Sequence, residues 1–145
     1  MNRLPTLILV AGLLAGAPLL IHAAGEKTTA APSHPIVGTW TWALFGGACT
    51  ETLQYRANKT VLGTSGQEVF ENRYDITAAP DAQGFYKLVE TVVRQNDKKD
   101  CSGAMLDGPG EKTTRFIQFS PKQDQLLVCE AATLKSCFGP LKRVP

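Results

Sequence analysis

The most informative segment of the chain is VGTWTWALF at residues 37–45. Large apolar side chains alternate there with small or polar ones, so that Trp40, Trp42 and Leu44 fall on one face of an extended strand. Two tryptophans on one face form a broad apolar surface that has to be covered by a core. The segment therefore predicts a first β-strand with one buried face.

The same alternation recurs along the rest of the chain, between short groups of turn-forming residues. It is clearest at 68–76, where Phe70, Tyr74 and Ile76 share one face. At 85–94 both faces are partly apolar, so the sequence does not determine which face of that strand points inward. Residues 130–134 are the one place where a single helical turn is expected. Strands are predicted at 36–45, 51–57, 60–63, 68–76, 85–94, 113–119, 125–130 and 135–144.

This arrangement predicts an all-β domain of about eight antiparallel strands, and an up-and-down barrel is favoured over a sandwich. So short a chain has nothing else with which to cover two sheet edges, and closure of the sheet removes them. The interior of an eight-stranded barrel is either just filled by side chains or holds one small ligand. The sequence leaves these two possibilities open.

The first 24 residues have the layout of a secretory signal peptide: a short basic start, an apolar run at 7–21, and small residues before the cleavage site. An uncleaved membrane anchor is the alternative. The run is shorter than the roughly 20 apolar residues that a span requires, and Gly12, Gly16 and Pro18 interrupt it. We expect cleavage after Ala23 or Ala24 and a periplasmic or secreted product without stable membrane insertion.

Residues 25–35 are rich in Ala, Thr, Ser and Pro and lack large apolar side chains, so they predict a flexible tether. His34 at its end is expected to be solvated. Residues 36–145 then form the single folded domain. Loss of the leader leaves 14 basic against 13 acidic side chains, a net charge of +1. So balanced a charge argues against nucleic acid as a partner.

Four cysteines follow the leader: Cys49, Cys101, Cys129 and Cys137. An even number in a small exported domain predicts two disulfides. Zinc is disfavoured because no C-x-x-C pair is present and only one histidine remains after cleavage, so no metal site is predicted. Of the three possible pairings we favour Cys129–Cys137, which a local hairpin would join. That choice leaves Cys49–Cys101 to connect two distant loops.

Gly38-Thr39-Trp40 resembles the G-x-W signature of the lipocalins and their calycin relatives. The resemblance implies an up-and-down barrel whose tryptophan closes one end. It also implies an arginine packed across that ring, for which Arg143 is the match and Lys142 the alternative. The chain is short for a true lipocalin, and it lacks a T-D-Y-like second signature and a C-terminal helix. A compact, lipocalin-like barrel protein exported by a bacterium fits these features better.

Enzyme chemistry has little support in the sequence, and neither catalytic residues nor a cofactor are predicted. With His34 alone, a Ser-His-Asp or Cys-His arrangement is excluded in practice. Three glutamates, Glu51, Glu68 and Glu90, share strand faces with apolar residues. We expect them to be paired with arginines such as Arg115, Arg94 or Arg143, or to lie at a wet rim, rather than to act as catalytic acids.

The leading functional prediction is non-enzymatic binding of a small apolar or amphipathic ligand inside the barrel. The candidate ligand-binding residues are Trp42, Tyr55, Phe70, Tyr74, Glu51, Glu68 and Glu90. The alternative is a protein-binding inhibitor or immunity protein that acts through the polar loop at 95–112. Cys101 would pin that loop, and its tip would carry Asp97, Lys98, Lys99 and Asp100.

Overall fold

The structure is a computed structural model that describes residues 33–145. The predicted signal peptide at 1–24 and most of the predicted tether lie outside the described residues. Among the residues that are described, no helix combines the length and the apolar character needed to cross a membrane.

The chain forms one closed barrel of eight antiparallel strands, as the sequence predicts. Each strand pairs with the next, and the first pairs with the last through Trp40 opposite Arg143. A short 3-10 helix, Phe45–Gly47, connects the first two strands. The strands are β1 Gly38–Leu44, β2 Cys49–Tyr55, β3 Thr60–Ser65, β4 Glu68–Ile76, β5 Tyr86–Gln95, β6 Lys112–Phe119, β7 Gln125–Cys129 and β8 Cys137–Arg143.

Two local predictions need correction. The third strand continues to Ser65, because Gly66 adopts a positive φ of 59° and permits a turn of two residues before Glu68. Residues 130–134 form bends and turns rather than a helical turn. The Cys129–Cys137 bridge joins the paired ends of β7 and β8. The segment between them therefore has to turn back from one strand to the next.

The pairing register of β4 and β5 shows which face of β5 points into the barrel. Glu90 on β5 lies opposite Tyr74 on β4, and Leu88 lies opposite Ile76, so both share the inward face of their partners. Leu88 is 2 % exposed, whereas Val93 on the other face is 42 % exposed. The apolar residues on the outer face made the two faces look alike in the sequence.

One end of the barrel is sealed by Trp40, which is completely buried and donates its indole N–H to the Ile36 carbonyl at 2.8 Å. The Arg143 guanidinium lies over the ring, 4.2 Å from the centroid, and donates to the Val37 carbonyl at 2.9 Å. At Gly38, with a φ of 139°, a Cβ would lie 2.4 Å from Arg143 Nη1, so only glycine fits. The residues proposed for closure from the resemblance therefore meet at this end.

His34 packs against the same end and is not the solvated histidine that the sequence suggests. Its ring meets Tyr86 edge-on at 4.9 Å between centroids, and Nδ1 accepts a hydrogen bond from the Ile36 amide at 3.1 Å. Burial lowers the pKa of His34. The end of the predicted tether thus belongs to the folded domain.

Both predicted disulfides are present: Cys129–Cys137 joins neighbouring strands, and Cys49–Cys101 joins residues 52 positions apart. Both bridges lie at the end of the barrel opposite Trp40, where the loops after β1, β3, β5 and β7 gather. No cysteine in the described part of the chain is free. Two disulfides fit an oxidising environment outside the cytoplasm.

Candidate ligand-binding cavity

The barrel encloses a cavity of about 270 Å³ between the Trp40 seal and the disulfide-bearing end. Five of the seven candidate residues line it: Glu51, Tyr55, Glu68, Phe70 and Glu90. The remaining wall is formed by Leu53, Thr64, Ser65, Asn72, Leu88, Val92, Asp100, Leu106, Thr113, Arg115, Val128 and Phe138. A more open groove of about 380 Å³ lies beside Pro121 and Pro140, but no charged side chain lines it. The interior cavity is therefore the candidate site.

The cavity stays open in part because of a glycine on β3. Gly63 pairs with Phe70 on β4, and a Cβ at Gly63 would lie only 2.0 Å from the Phe70 ring. The missing side chain lets the ring lie against the wall of the barrel. An aromatic side chain thus forms part of the wall without filling the centre.

Glu90 forms the polar floor of the cavity together with two side chains that donate to it. The Tyr55 hydroxyl donates to Glu90 Oε1 at 2.7 Å, and the Asn72 amide donates to Oε2 at 3.5 Å. Burial raises the pKa of the Glu90 carboxyl, although both hydrogen bonds and the charge of Arg115 oppose the rise. The pKa of Tyr55 lies well above 10, chiefly because of burial and then because of the adjacent Glu90 charge.

Of the two placements expected for the inward glutamates, an ion pair with an arginine is found for none of them in the described part of the chain, whereas Glu51 and Glu68 lie at the rim. The one ion pair within residues 33–145 joins Arg94 to Glu71 on the outer surface at 2.5 Å. Arg115 lines the cavity and donates to the Thr114 carbonyl at 3.1 Å, while Arg143 is used at the Trp40 seal. The cavity thus holds charged side chains of both signs that no ion pair satisfies.

The loop at 96–111 spans the mouth of the cavity and is hydrogen-bonded to its rim. Ser65 Oγ donates to Glu51 at 2.8 Å and accepts from the Cys101 amide at 3.0 Å. Glu68 Oε1 accepts from the Leu106 amide at 3.1 Å. Burial raises the pKa of both glutamates, and these hydrogen bonds oppose the rise. With the Cys49–Cys101 bridge, these contacts fix the loop over the opening.

The two other candidate residues lie elsewhere. Trp42 stacks on Phe138 with the ring centroids 5.2 Å apart. Tyr74 donates its hydroxyl to the Arg56 carbonyl at 2.8 Å and packs edge-on against Tyr55 at 5.1 Å. Neither ring lines the cavity, although the register places Trp42 opposite Glu51 and Tyr74 opposite Glu90.

Twelve wall residues were not among the candidate ligand-binding residues, and three of them show what the sequence could have indicated. Asn72 shares strand parity with Phe70, and this alternation could have identified it. Arg115 likewise shares parity with the buried Ile117. Leu106 lies in an irregular loop, where no periodicity indicates which side chain turns inward.

Comparison of the chain with protein-family models, with curated proteins and with solved structures found no match. The closed antiparallel barrel and the arginine over the tryptophan are consistent with a lipocalin-like arrangement. The case for a function therefore depends on the chemistry of the cavity.

Proposed function

We propose that this protein is a lipocalin-like exported binding protein, periplasmic or secreted, that holds one small amphipathic ligand without transforming it. The observation that carries the proposal is the cavity of about 270 Å³ inside the barrel, whose wall combines apolar side chains with polar and charged side chains at the rim and at the floor. Such a composition is typical of small-molecule sites, in which apolar contacts give affinity and a few polar groups fix orientation.

The two ends of the barrel support this proposal in different ways. The Trp40 end is filled by fully buried side chains, and Arg143 covers it. The other end is covered by a single loop, fixed by the Cys49–Cys101 bridge and by hydrogen bonds at the rim. A ligand would therefore reach the cavity past this loop and rest on the floor formed by Glu90.

Native mass spectrometry of the protein purified from its own exported compartment tests the proposal. A mass excess that disappears on denaturation is the expected result. Val92→Phe fills the cavity, because Val92 lines it and is 6 % exposed, and should abolish the excess. Val93→Phe is the matched control, since Val93 is the next residue, lies on the outer face and is 42 % exposed. An excess that survives Val92→Phe would contradict the cavity as the site.

A protein-binding role is the second candidate, and one observation favours it. Met105 lies on the loop that covers the mouth and is 61 % exposed, so its apolar side chain is available for contact with a partner. If this role is correct, the same native spectra should contain a second polypeptide at fixed stoichiometry. Met105→Ser should release that polypeptide and leave any small-molecule excess unchanged.

A further inference from the structure

Two groups at the floor of the cavity lack the partner that their chemistry requires. The Glu90 carboxylate accepts from Tyr55 and, at a long 3.5 Å, from Asn72, but no cation of the described chain lies within 4.0 Å of it. Asn72 is 3 % exposed, and its Oδ1 has no donor within residues 33–145. Buried acceptors without donors are costly, so this floor is short of a hydrogen-bond donor that carries positive charge.

The charged side chains of the cavity wall also indicate a positively charged ligand. Four carboxylates line it, Glu51, Glu68, Glu90 and Asp100, against one guanidinium, that of Arg115. In a cleft with low-dielectric walls, such an excess of one sign concentrates counter-ions of the other. The acidic residues at the rim and at the floor would both attract a cation, first into the mouth and then to the floor.

We propose that the ligand is a small organic cation, a protonated amine with an apolar body, whose ammonium group is held by the Glu90 carboxylate and the Asn72 side-chain oxygen. This inference depends on the proposed function, since it names the ligand class of the same cavity.

The geometry of the floor suits an ammonium group, which has three donors and no acceptor. One N–H would donate to Glu90, whose Oε1 keeps the hydrogen bond from Tyr55. In the structure the Asn72 side-chain nitrogen faces Glu90. Rotation of this amide by half a turn would place its oxygen there instead, where it could accept a second N–H of the ammonium group. The apolar body would then contact Leu88 and Val92.

An anionic ligand is the opposite reading, because Arg115 is also without an ion-pair partner. A bound carboxylate at Arg115 would add a fifth negative group to a wall that already holds four. It would also leave Asn72 Oδ1 without a donor, since a carboxylate has none to offer. A cation satisfies both deficits at the floor, whereas an anion would satisfy only Arg115.

Three probes of similar shape and different charge separate these cases: 2-phenylethylamine, 2-phenylethanol and 3-phenylpropanoate. Binding to the purified full-length domain is measured by isothermal titration calorimetry at pH 7.5. We expect the amine to bind roughly tenfold more tightly than the alcohol, as a charge-assisted hydrogen bond would provide. Glu90→Gln should remove that advantage, so that the amine and the alcohol bind about equally.

Two variants control the charge change. Glu71→Gln removes a carboxylate from the outer surface, where Glu71 pairs with Arg94, and should leave all three affinities unchanged. Arg115→Gln should strengthen amine binding and weaken any binding of the propanoate. Because it leaves Glu90 intact, Arg115→Gln tests the inference even where Glu90→Gln fails to fold, and circular dichroism identifies that case.

The outcomes that overturn the inference are distinct from those that overturn the proposed function. Equal binding of the amine and the alcohol, or tightest binding of the propanoate with loss in Arg115→Gln, overturns the cation and leaves the cavity as a binding site. A copurified ligand without a basic nitrogen does the same. Failure of all three probes to bind, with no mass excess in native spectra, overturns both.

Discussion

Replacing Trp40 by alanine should destabilise the barrel by about 5–6 kcal/mol. Removal of a fully buried Trp side chain costs about 3–5 kcal/mol in lost transfer free energy and cavity formation. Trp40 is completely buried, so the upper part of that range applies. The variant also leaves the Ile36 carbonyl without its indole donor and takes the ring from under Arg143, which adds about 1 kcal/mol.

Urea unfolding followed by far-UV circular dichroism gives the free energies of unfolding to be compared. Since domains of this size are stable by about 5–15 kcal/mol, Trp40→Ala should unfold at much lower urea or be largely unfolded without it. Trp40→Phe keeps an aromatic ring but loses the N–H donor, so its loss should be smaller, about 1–3 kcal/mol.

Trp42 offers an internal control on the same strand and the same face. It is only half-buried and stacks on Phe138 at the other end of the barrel. Trp42→Ala should therefore cost clearly less than Trp40→Ala, about 1–2 kcal/mol, in line with ordinary substitutions. Equal losses for the two alanine variants, or a loss below about 1 kcal/mol for Trp40→Ala, would refute the assignment of Trp40 as the seal.

Two further predictions concern the disulfides and the floor of the cavity. Replacement of Cys49 and Cys101 by serine should cost about 4 kcal/mol and replacement of Cys129 and Cys137 about 2.5 kcal/mol, because the first bridge closes a loop of 52 residues and the second a loop of 8. Urea unfolding of the two double variants gives the order, and a larger loss for the shorter loop would contradict the entropic argument. Burial raises the pKa of Glu90, so its contribution to stability is fully present below the ordinary carboxyl value of 4.5 and is lost as the pH rises through the pKa of the folded state. Between pH 4.5 and pH 8 the unfolding midpoint of Glu90→Gln should therefore fall less than that of the wild type. If the midpoints of the two proteins change in parallel with pH, the carboxyl is not raised in pKa by burial.

The strands were predictable because alternation is a local property of the sequence. At 68–76 the pattern gave both the boundaries and the inward face, and the structure has β4 at Glu68–Ile76. On β5 the pattern failed, because outer positions such as Val93 are apolar as well and only pairing with β4 fixes the face. Alternation gives the face of a residue but not the contacts of its side chain, so it could have identified Asn72 as inward, whereas the stacking of Trp42 on Phe138 depends on which strands close the barrel.

The polar contacts could not be predicted from the sequence for a related reason. The inward glutamates were expected to pair with an arginine or to lie at a wet rim, and an ion pair requires an arginine at the same height on a neighbouring strand. Arg94 is on the outer face and pairs with Glu71, and Arg143 is held at the seal. Arg115 lines the cavity but lies beyond ion-pair distance of Glu90, so Glu90 accepts hydrogen bonds from Tyr55 and Asn72. Such a mismatch between composition and pairing becomes visible only when the strands are closed into a barrel.

Under the proposed function, one end of the barrel serves stability and the other serves binding. At one end Trp40, Gly38 and Arg143 satisfy one another's packing and hydrogen bonds, so every local choice favours the same arrangement. Near the other end a cavity remains, and Glu90 and Asn72 are left incompletely satisfied, at a cost in stability. Side chains that violate local rules in an otherwise consistent fold are typical of functional sites. The tight seal and the two bridges offset that cost, which is why we place binding at the Glu90 floor and stability at the tryptophan.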